Sequence, residues 1–230
     1  MRYKNLFFDL DDTLWDTCHN NKECLKELYA DYHFDRHYAS FEAFYDFYMR
    51  HNLDLWAKYR NGEVDRQTLI VERFLYVLRP LGIESRQAAL DINRDFLERT
   101  ATKSRLISGA ADLLRYLRPS YRIFILSNGF REVQSRKLAS AGIDSFFQRI
   151  ILSEDACVQK PHKAIFDYAL QNTNSRRSES IMIGDSWEAD IAGAYHAGID
   201  QIWFNPQNEP SRDFIPTFTV QTLEAIKKIL

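Results

Sequence analysis

The sequence predicts an α/β protein in which a helical segment interrupts a parallel sheet. After about residue 105, short apolar runs alternate with segments of helical periodicity, a pattern typical of parallel strands covered by helices on both faces. From about residue 17 to 104, apolar residues recur at helical spacing and strand-like runs are few. We therefore expect a doubly wound, Rossmann-like core at residues 1–16 and 105–230, with an all-α helical-bundle cap inserted at residues 17–104.

The predicted core begins with a buried strand over residues 5–8, and turn or capping residues separate the elements that follow. Glycine is typical of the position that follows a helix, and Gly142 and Gly198 are predicted to occupy such positions. Asn205-Pro206 is predicted to end a strand. Further strands are predicted at residues 121–126, 149–152, 180–183 and 201–204. Helices are predicted from the turn at 127–129 to 141, at 163–171, from 185 to 197 and at 223–230.

The insertion is predicted to contain about four helices with an aromatic interior. Phe41, Phe44 and Tyr48 recur at positions i, i+3 and i+7, which places them on one helix face. A second helical segment over residues 69–78 is closed by Pro80. We expect the helically spaced aromatic side chains to form the core of the cap.

The composition is that of an ordinary globular protein and excludes several functional classes. With 45% hydrophobic and 27% charged residues among 230 and a formal net charge of −2, the chain has no basic footprint for nucleic acid or an anionic membrane. The three cysteines form no C-x-x-C pair, and the six histidines show no metal-ligand spacing. No apolar stretch approaches the roughly 20 residues that span a bilayer, and no signal-peptide segment is evident. We expect a cytoplasmic monomer or homodimer.

Two carboxylates follow the first predicted strand, in the run Asp9-Leu10-Asp11-Asp12-Thr13. Because side chains alternate along a strand, Asp9 and Asp11 leave the chain toward the same side. Two adjacent negative charges are costly unless something offsets them. Mg²⁺ prefers one or two carboxylates together with phosphate oxygens and water. The pair therefore indicates a magnesium site.

Three further polar clusters follow later predicted strands. They are Ser127-Asn128-Gly129, Lys160-Pro161, and Gly184-Asp185 with Asp190. In open parallel sheets, ligands bind outside the carboxyl ends of the strands, so these clusters are expected to converge with Asp9. Each cluster alone is a common turn, loop or helix-capping pattern, whereas the four together indicate catalysis.

These four clusters resemble the motifs of the haloacid dehalogenase superfamily, with a helical cap inserted after the first motif. The run from Asp9 to Thr13 fits D-x-D-x-T, Ser127 fits the hydroxyl residue of the second motif, and Lys160 fits the third. The run from Gly184 to Asp190 fits the fourth, G-D-x-x-x-x-D. The resemblance extends over essentially the whole α/β part of the chain.

The resemblance and the residue types together imply an aspartyl-phosphate mechanism. Asp9 is the candidate nucleophile, and the covalent intermediate divides one difficult step into two. Asp11 is the candidate general acid for the leaving alkoxide and then the general base for water. Lys160 supplies a compact positive charge near Asp9 and the phosphate.

The remaining motif residues are expected to bind the phosphate and the metal ion. Ser127 and the amides of Asn128 and Gly129 would donate hydrogen bonds to phosphoryl oxygens, and Lys160 would contribute its charge. Asp190 is expected in the outer coordination shell of the metal ion, where it would orient water or Lys160. The predicted Mg²⁺ site comprises Asp9, the main-chain carbonyl of Asp11, Asp185 and, in the outer shell, Asp190.

Within the superfamily, Asp11 favours phosphoryl transfer, because the dehalogenases lack this second aspartate and need no proton for their leaving group. The cap lysines lie in polar surroundings, and none resembles a Schiff-base lysine of a phosphonate hydrolase. These cap lysines are Lys22, Lys26, Lys58 and Lys103.

A finer resemblance is to the pyrimidine and modified-base 5′-nucleotidases of the superfamily. It is carried by residues 126–130, by Gln134 and Lys137-Leu138, and by residues 142–147, 153–156, 160–170 and 184–194. It implies a small-molecule phosphomonoester substrate, most simply a nucleoside monophosphate, with specificity residing in the cap. Aromatic cap residues could stack on the base, although most are expected in the cap core. Trp187 departs from the subgroup and could narrow the mouth of the site.

Two alternatives remain open at the level of sequence. A sugar-phosphate phosphatase or phosphomutase would use the same four motifs. A catalytically silent binding protein could use the same scaffold, but it would not need Asp11 and Lys160.

Overall fold

The computed structural model describes residues 2–230, and the chain divides into two compact units. One unit comprises residues 2–17 and Lys103–Leu230, and the other comprises Cys18–Thr102. The first contains a six-stranded sheet whose neighbours all pair in parallel, in the order β3-β2-β1-β4-β5-β6. The prediction of an α/β parallel sheet with a helical insertion is confirmed.

The bounds of the elements are as follows. The strands are β1 Asn5–Phe8, β2 Arg122–Ser127, β3 Arg149–Leu152, β4 Ser180–Gly184, β5 Asp200–Phe204 and β6 Phe218–Val220. The helices of the inserted segment are α1 Thr17–Asp31, α2 Phe41–Arg60, α3 Arg66–Leu78 and α4 Arg86–Thr100. Those of the sheet unit are α5 Ala110–Leu117, α6 Arg131–Ser140, α7 Ser153–Ala156, α8 Lys163–Asn172 and α9 Gly193–His196.

Side chains alternate between two apolar cores on the two faces of the sheet. Leu6 and Phe8 of β1 lie in one core, which also contains buried leucines of α5. Phe7 lies in the other core, with Ile165 and Phe166 of α8. Both faces of the strands are therefore covered, which explains why the strands are continuous apolar runs rather than alternating ones.

The order in which the chain adds strands to the sheet reverses at β1, and this reversal determines where a crevice opens at the edge of the sheet. Phe8 pairs with Ile125 of β2 on one side and with Ile183 of β4 on the other. The chain adds β2 and β3 on the first side and then crosses to β4, so the connections diverge between β1 and β4. Such a switch point opens at the carboxyl ends of the strands. Asp9 and Asp185 directly follow those two strand ends.

Several elements differ from the sequence predictions, among them helices α5 and α7, which the sequence pattern did not predict. Strand β6 has three residues at the edge of the sheet, too short for a periodicity to appear. The closing segment Leu223–Lys228 is a 3₁₀ helix whose Leu223 and Ile226 are buried, a spacing of three that suits this tighter helix. The predicted helix after Asp185 begins as a π-helical segment, Trp187–Ala192, before α9.

The inserted unit is a set of four helices with an aromatic core. Side-chain caps begin α2, α3 and α4, where Ser40, Asp65 and Ser85 accept hydrogen bonds from backbone amides. Of the three helically spaced aromatics, Phe44 and Tyr48 are buried in this core and Phe41 packs partly buried against it. Other rings in or against the core are Tyr29, Phe34, Tyr38, Tyr45, Phe47, Phe74, Tyr76 and Phe96. Over residues 2–230, the structure contains no helix long and apolar enough to cross a membrane.

Candidate active site

The first motif turns sharply where β1 ends. The Asp9 amide donates to the Ile183 carbonyl of β4, 2.9 Å away, which extends the sheet pairing by one residue. Asp12 then takes a left-handed conformation with φ of 61°, and its amide bonds to the Trp15 carbonyl at 2.8 Å. Aspartate tolerates this conformation better than most residues. The turn keeps both Asp9 and Asp11 at the carboxyl edge of the sheet.

Lys160 is buried at the centre of the site. Its Nζ donates to Asp9 Oδ1 at 2.6 Å, to Asp190 Oδ1 at 2.6 Å and to the Leu126 carbonyl at 2.7 Å. The whole residue is 1% exposed, and all three ammonium protons are used within the protein. Burial alone would lower the pKa of Lys160, but Asp190 and Asp9 outweigh it and raise that pKa above its usual value.

The fourth motif is fixed by hydrogen bonds on both sides of Asp185. Thr13 Oγ1 donates to Asp185 Oδ1 at 2.7 Å and accepts from the Asp185 amide at 3.0 Å. The indole Nε1 of Trp203 donates to the Asp185 carbonyl at 3.0 Å. Asp190, in the π-helical segment, accepts the Ser186 amide at Oδ2, 3.1 Å away. Single π-helical turns are frequent at functional sites.

Asp9, Asp185 and Asp190 each place a carboxylate oxygen within 4.8 Å of the other two. Burial, with added repulsion from Asp190 and Asp12, raises the pKa of Asp185 to about 7. Burial also raises the pKa of Asp9 well above its usual value, despite the opposing charge of Lys160. Three crowded carboxylates, of which Asp9 and Asp185 have raised pKa values, form a donor set that suits a divalent cation preferring oxygen, such as Mg²⁺.

Asp190 differs from the other two members of this cluster in its partners. Its two oxygens accept from Lys160 and from the Ser186 amide. Within residues 2–230, Asp9 and Asp185 accept side-chain hydrogen bonds at Oδ1 only. Asp9 and Asp185 therefore each keep one carboxylate oxygen without a side-chain donor, whereas both oxygens of Asp190 are engaged. The metal and substrate roles of these residues stay predictions.

Ser127, at the end of β2, has its proton available. Its Oγ accepts from the Gly129 amide at 3.0 Å and from Gln134 Nε2 at 2.7 Å. A hydroxyl has two acceptor positions and one donor. Both acceptor positions are used, and no described residue accepts the proton, so the proton is available to a ligand. Phosphate binding by Ser127 stays a prediction.

The other two residues of the second motif have structural partners that the sequence did not reveal. Asn128 Nδ2 donates to the Lys160 carbonyl, and Asn128 Oδ1 accepts the Lys160 amide, both at 2.9 Å. The Asn128 side chain thus fastens the Lys160 loop. A Cβ added to Gly129 would lie 1.9 Å from Gln134 Nε2, so Gly129 makes room for that side chain. Phosphate binding by the two backbone amides stays a prediction, as does a metal contact of the Asp11 carbonyl.

Asp11 is held on both carboxylate oxygens. Oδ1 accepts from Lys137 Nζ at 2.6 Å and from Thr17 Oγ1 at 3.0 Å, and Oδ2 accepts from Gln134 Nε2 at 2.7 Å. Burial would raise the pKa of Asp11, but the Lys137 charge and these hydrogen bonds together lower it below the usual value. These three donors therefore hold the Asp11 carboxyl in one orientation.

Sequence reasoning assigned no role to Gln134, Lys137 or Trp203. Gln134 and Lys137 entered only as part of the finer resemblance, and a polar pair on a helix usually faces solvent. One feature of the sequence could have indicated that these two residues lie near the site. Helix α6 begins four residues after Ser127, so its first turns lie near the end of β2. Trp187, expected near the mouth, is buried against Trp203 with ring centroids 4.8 Å apart.

Comparisons with known proteins agree with this geometry. The model of the haloacid dehalogenase-like hydrolase family matches residues 3–198. The HAD-hydrolase YfnB of Bacillus subtilis (strain 168) is 33% identical across 100% of this chain and 96% of its own. Pyrimidine 5′-nucleotidase YjjG of Escherichia coli (strain K12) is 32% identical across 100% of this chain and 99% of its own. Glyceraldehyde 3-phosphate phosphatase of Pyrococcus furiosus is 29% identical across 99% of this chain and 94% of its own.

A crystal structure of YfnB from Bacillus subtilis, bound to magnesium, is similar to this chain along its full length. The TM-score is 0.89 at 30% sequence identity, covering 100% of this chain and 99% of YfnB.

Proposed function

The chain belongs to the haloacid dehalogenase-like hydrolases, and within that family we propose that it is a Mg²⁺-dependent 5′-nucleotidase. It would hydrolyse nucleoside monophosphates, with pyrimidine or modified bases preferred, through an aspartyl-phosphate on Asp9. The observation that carries the proposal is the buried Lys160 ammonium, which donates to both Asp9 and Asp190 beside Asp185. Such an arrangement concentrates charge where a phosphate dianion must meet an anionic nucleophile.

Asp11 favours a phosphatase over a dehalogenase on chemical grounds. A halide leaves as a stable anion, whereas the alkoxide of a phosphomonoester needs a proton as it leaves. A second carboxyl group, held near the nucleophile by three donors, is the group that can supply it.

In the first step, an Asp9 carboxylate oxygen forms a bond to phosphorus while the ester P–O bond breaks. The electron pair of that bond goes to the leaving oxygen, which takes a proton from Asp11, and the alcohol departs. Asp11 has taken that proton from solvent beforehand, because the negative charge of the bound phosphate opposes the lowering of its pKa by Lys137. The Ser127 hydroxyl donates to a phosphoryl oxygen, since both of its acceptor positions are already used. Lys160 keeps the attacking carboxylate oriented and offsets the charge of the phosphoryl group.

In the second step, water attacks phosphorus and gives its proton to Asp11. The bond between phosphorus and Asp9 breaks, its electron pair returns to the carboxylate, and inorganic phosphate is released. Asp9 and Asp185, which each keep an oxygen unengaged, would hold Mg²⁺, with Asp190 in the outer shell. When bound, the ion supplies positive charge that offsets the repulsion between phosphate and carboxylates.

The substrate class rests on likeness to relatives. YjjG, which carries the name pyrimidine 5′-nucleotidase, matches this chain over its full length at 32% identity. PynA of Streptococcus pneumoniae, with the same activity in its name, is 31% identical across 97% of this chain. A second candidate, a sugar-phosphate phosphatase, is favoured by the glyceraldehyde 3-phosphate phosphatase of Pyrococcus furiosus at 29% identity.

Phosphate release tests both candidates. The protein is assayed with and without Mg²⁺ on a panel of nucleoside monophosphates and sugar phosphates, with Asp9→Asn as the control. We expect Mg²⁺-dependent release, fastest from pyrimidine or modified-base monophosphates. Asp9→Asn should keep the circular dichroism spectrum and lose at least about 10³-fold in turnover, because the covalent route is closed.

The outcomes of this assay distinguish the candidate functions. Release from sugar phosphates alone would keep the mechanism and replace the substrate, and an isomerised sugar phosphate would indicate a mutase. Retained hydrolysis by Asp9→Asn would contradict the mechanism. No turnover across the panel would instead favour a silent binding protein.

A further inference from the structure

Two buried polar side chains of α6, Lys137 and Gln134, point into the active site from outside the four motifs. Lys137 is 7% exposed and Gln134 is 0% exposed. Burying an ammonium or an amide costs free energy unless it is paired. The partners of both side chains include Asp11, so their burial is explained by that residue.

Lys137 is fixed between Asp11 and an aromatic ring. Its Nζ lies 2.6 Å from Asp11 Oδ1 and 4.2 Å from the ring centroid of Trp15, which is itself fully buried. A cation over the face of an indole is attracted by the ring electrons. The ammonium therefore has one preferred position, and that position fixes Oδ1 of Asp11.

Gln134 links Asp11 to the phosphate-binding hydroxyl. Its Nε2 donates to Asp11 Oδ2 and to Ser127 Oγ, both at 2.7 Å. A carboxylate only accepts hydrogen bonds, so the nitrogen end of the amide must face Asp11. The opposite atom, Oε1, is buried without a hydrogen-bond partner among residues 2–230. An unpaired buried acceptor is unfavourable and calls for an explanation, which the contact of Nε2 with Asp11 provides.

The donors around Asp11 leave one position open. A carboxylate offers about four lone-pair positions, two on each oxygen. Lys137 and Thr17 occupy Oδ1, and Gln134 occupies one position on Oδ2. The remaining position, on Oδ2, is the one at which a proton can be given to the leaving oxygen or taken from water.

We propose that Lys137 and Gln134 are positioning residues that orient the Asp11 carboxyl so that one acceptor position of Oδ2 faces the reacting oxygen. The inference rests on the proposed phosphatase function and extends it beyond the motif residues. Proton transfer requires the donor within hydrogen-bond reach of the reacting atom, so a carboxyl free to rotate would transfer protons less often.

The test compares two leaving groups in Lys137→Met, which keeps the length and apolar stem of the side chain. An alkyl phosphate, the fastest nucleoside monophosphate of the panel, needs a proton on its leaving oxygen. 2,4-Dinitrophenyl phosphate does not, because dinitrophenolate is a stable anion. In rapid-quench experiments, we expect the first step to slow about 10–100-fold for the alkyl phosphate. The burst of dinitrophenolate should stay within about threefold of wild type, followed by slower turnover because Asp11 must act as a base.

A second single variant and a double variant allow the inference to be tested even if Lys137→Met does not fold. Gln134→Leu also removes a hydrogen bond to the Ser127 hydroxyl, so it should slow both substrates, but it should slow the alkyl phosphate by a larger factor. This ratio tests the inference without Lys137→Met. In an Asp11→Asn background, Lys137→Met should cause no further loss, because residues that act as one unit are not additive. Lys163→Met, which removes an exposed lysine paired with Asp167, is the matched control and should resemble wild type.

Equal loss with both leaving groups would overturn the inference, as would a further loss in the Asp11→Asn background. Failure of the proposed function is recognised separately, because wild-type protein would then release no phosphate from any substrate.

Discussion

Lys160 Nζ lies 2.6 Å from Asp9 Oδ1, although 151 residues separate the two in sequence. Both side chains are nearly inaccessible to solvent, and the same ammonium binds Asp190 at 2.6 Å. One buried cation thus faces a cluster of three carboxylates. This imbalance of charge determines how the site should respond to mutation, pH and metal.

Removing the buried cation should destabilise the protein strongly. In Lys160→Met, Asp9 and Asp190 lose their partner, and breaking a buried ion pair typically costs about 3–5 kcal/mol. We expect the midpoint of urea unfolding to fall markedly at pH 8. The loss should be smaller at pH 6, because burial raises the pKa of Asp9 and a protonated Asp9 needs the cation less.

The exposed pair of Lys163 with Asp167 provides the control for that experiment. Lys163 has 54% of its side chain exposed, and Lys163→Met should leave the midpoint nearly unchanged, as is usual for surface ion pairs. Similar losses in both variants would show that the buried position of Lys160 does not matter.

Stability should depend on pH through Asp185. Its pKa is raised from 3.8 to about 7 in the metal-free protein, so between these values the folded state binds more protons than the unfolded state. Stability from this group is therefore complete below pH 3.8 and is lost as pH rises toward 7. Because Mg²⁺ needs the ionised carboxylates, the rise in Tm on adding Mg²⁺ should be larger at pH 8 than at pH 5.5.

Differential scanning calorimetry with and without Mg²⁺ measures this difference. Asp185→Asn should lose most of the Mg²⁺-dependent rise at both pH values, since a ligand is removed. A rise of equal size at pH 5.5 and pH 8 in the unmodified protein would exclude proton competition at this cluster.

The sequence predicted the fold class because buried parallel strands and helices have different apolar periods. It also predicted which strand ends bear polar residues, and the structure brings Asp9, Lys160, Asp185 and Asp190 together there. It could not show what Gln134 contacts, because a polar residue on a helix contains no signal of burial. Only the structure shows that Gln134, on α6, binds Asp11 and Ser127.

Trp203 should tune the affinity of the metal site. Its Nε1 donates to the Asp185 carbonyl, and Trp203→Phe removes this bond while keeping an aromatic ring. Loss of such an outer contact typically lowers metal affinity about 10–100-fold. We expect activity to require more Mg²⁺ for half-saturation, with kcat at saturating Mg²⁺ close to wild type.

Trp187→Phe is the matched control for Trp203→Phe. Trp187 belongs to the same aromatic cluster, with Phe214 on its other side, but the indole of Trp203 is the one that bonds to Asp185. An equal rise in the Mg²⁺ requirement in both variants would point to packing of the cluster instead of the hydrogen bond.

Gly129→Ala should impair catalysis by displacing Gln134. The added Cβ would lie 1.9 Å from Nε2 and 2.4 Å from Cδ of that side chain, which is closer than two non-bonded atoms can approach. The end of a glutamine side chain is flexible, so we expect the fold to persist while Nε2 loses Asp11 and Ser127. Turnover of the best nucleoside monophosphate should fall about 10–100-fold, with little change in Tm. If the effect passes through Gln134, Gly129→Ala should cost nothing more in a Gln134→Leu background. An additive loss in that double variant would instead assign Gly129 a role that is independent of Gln134.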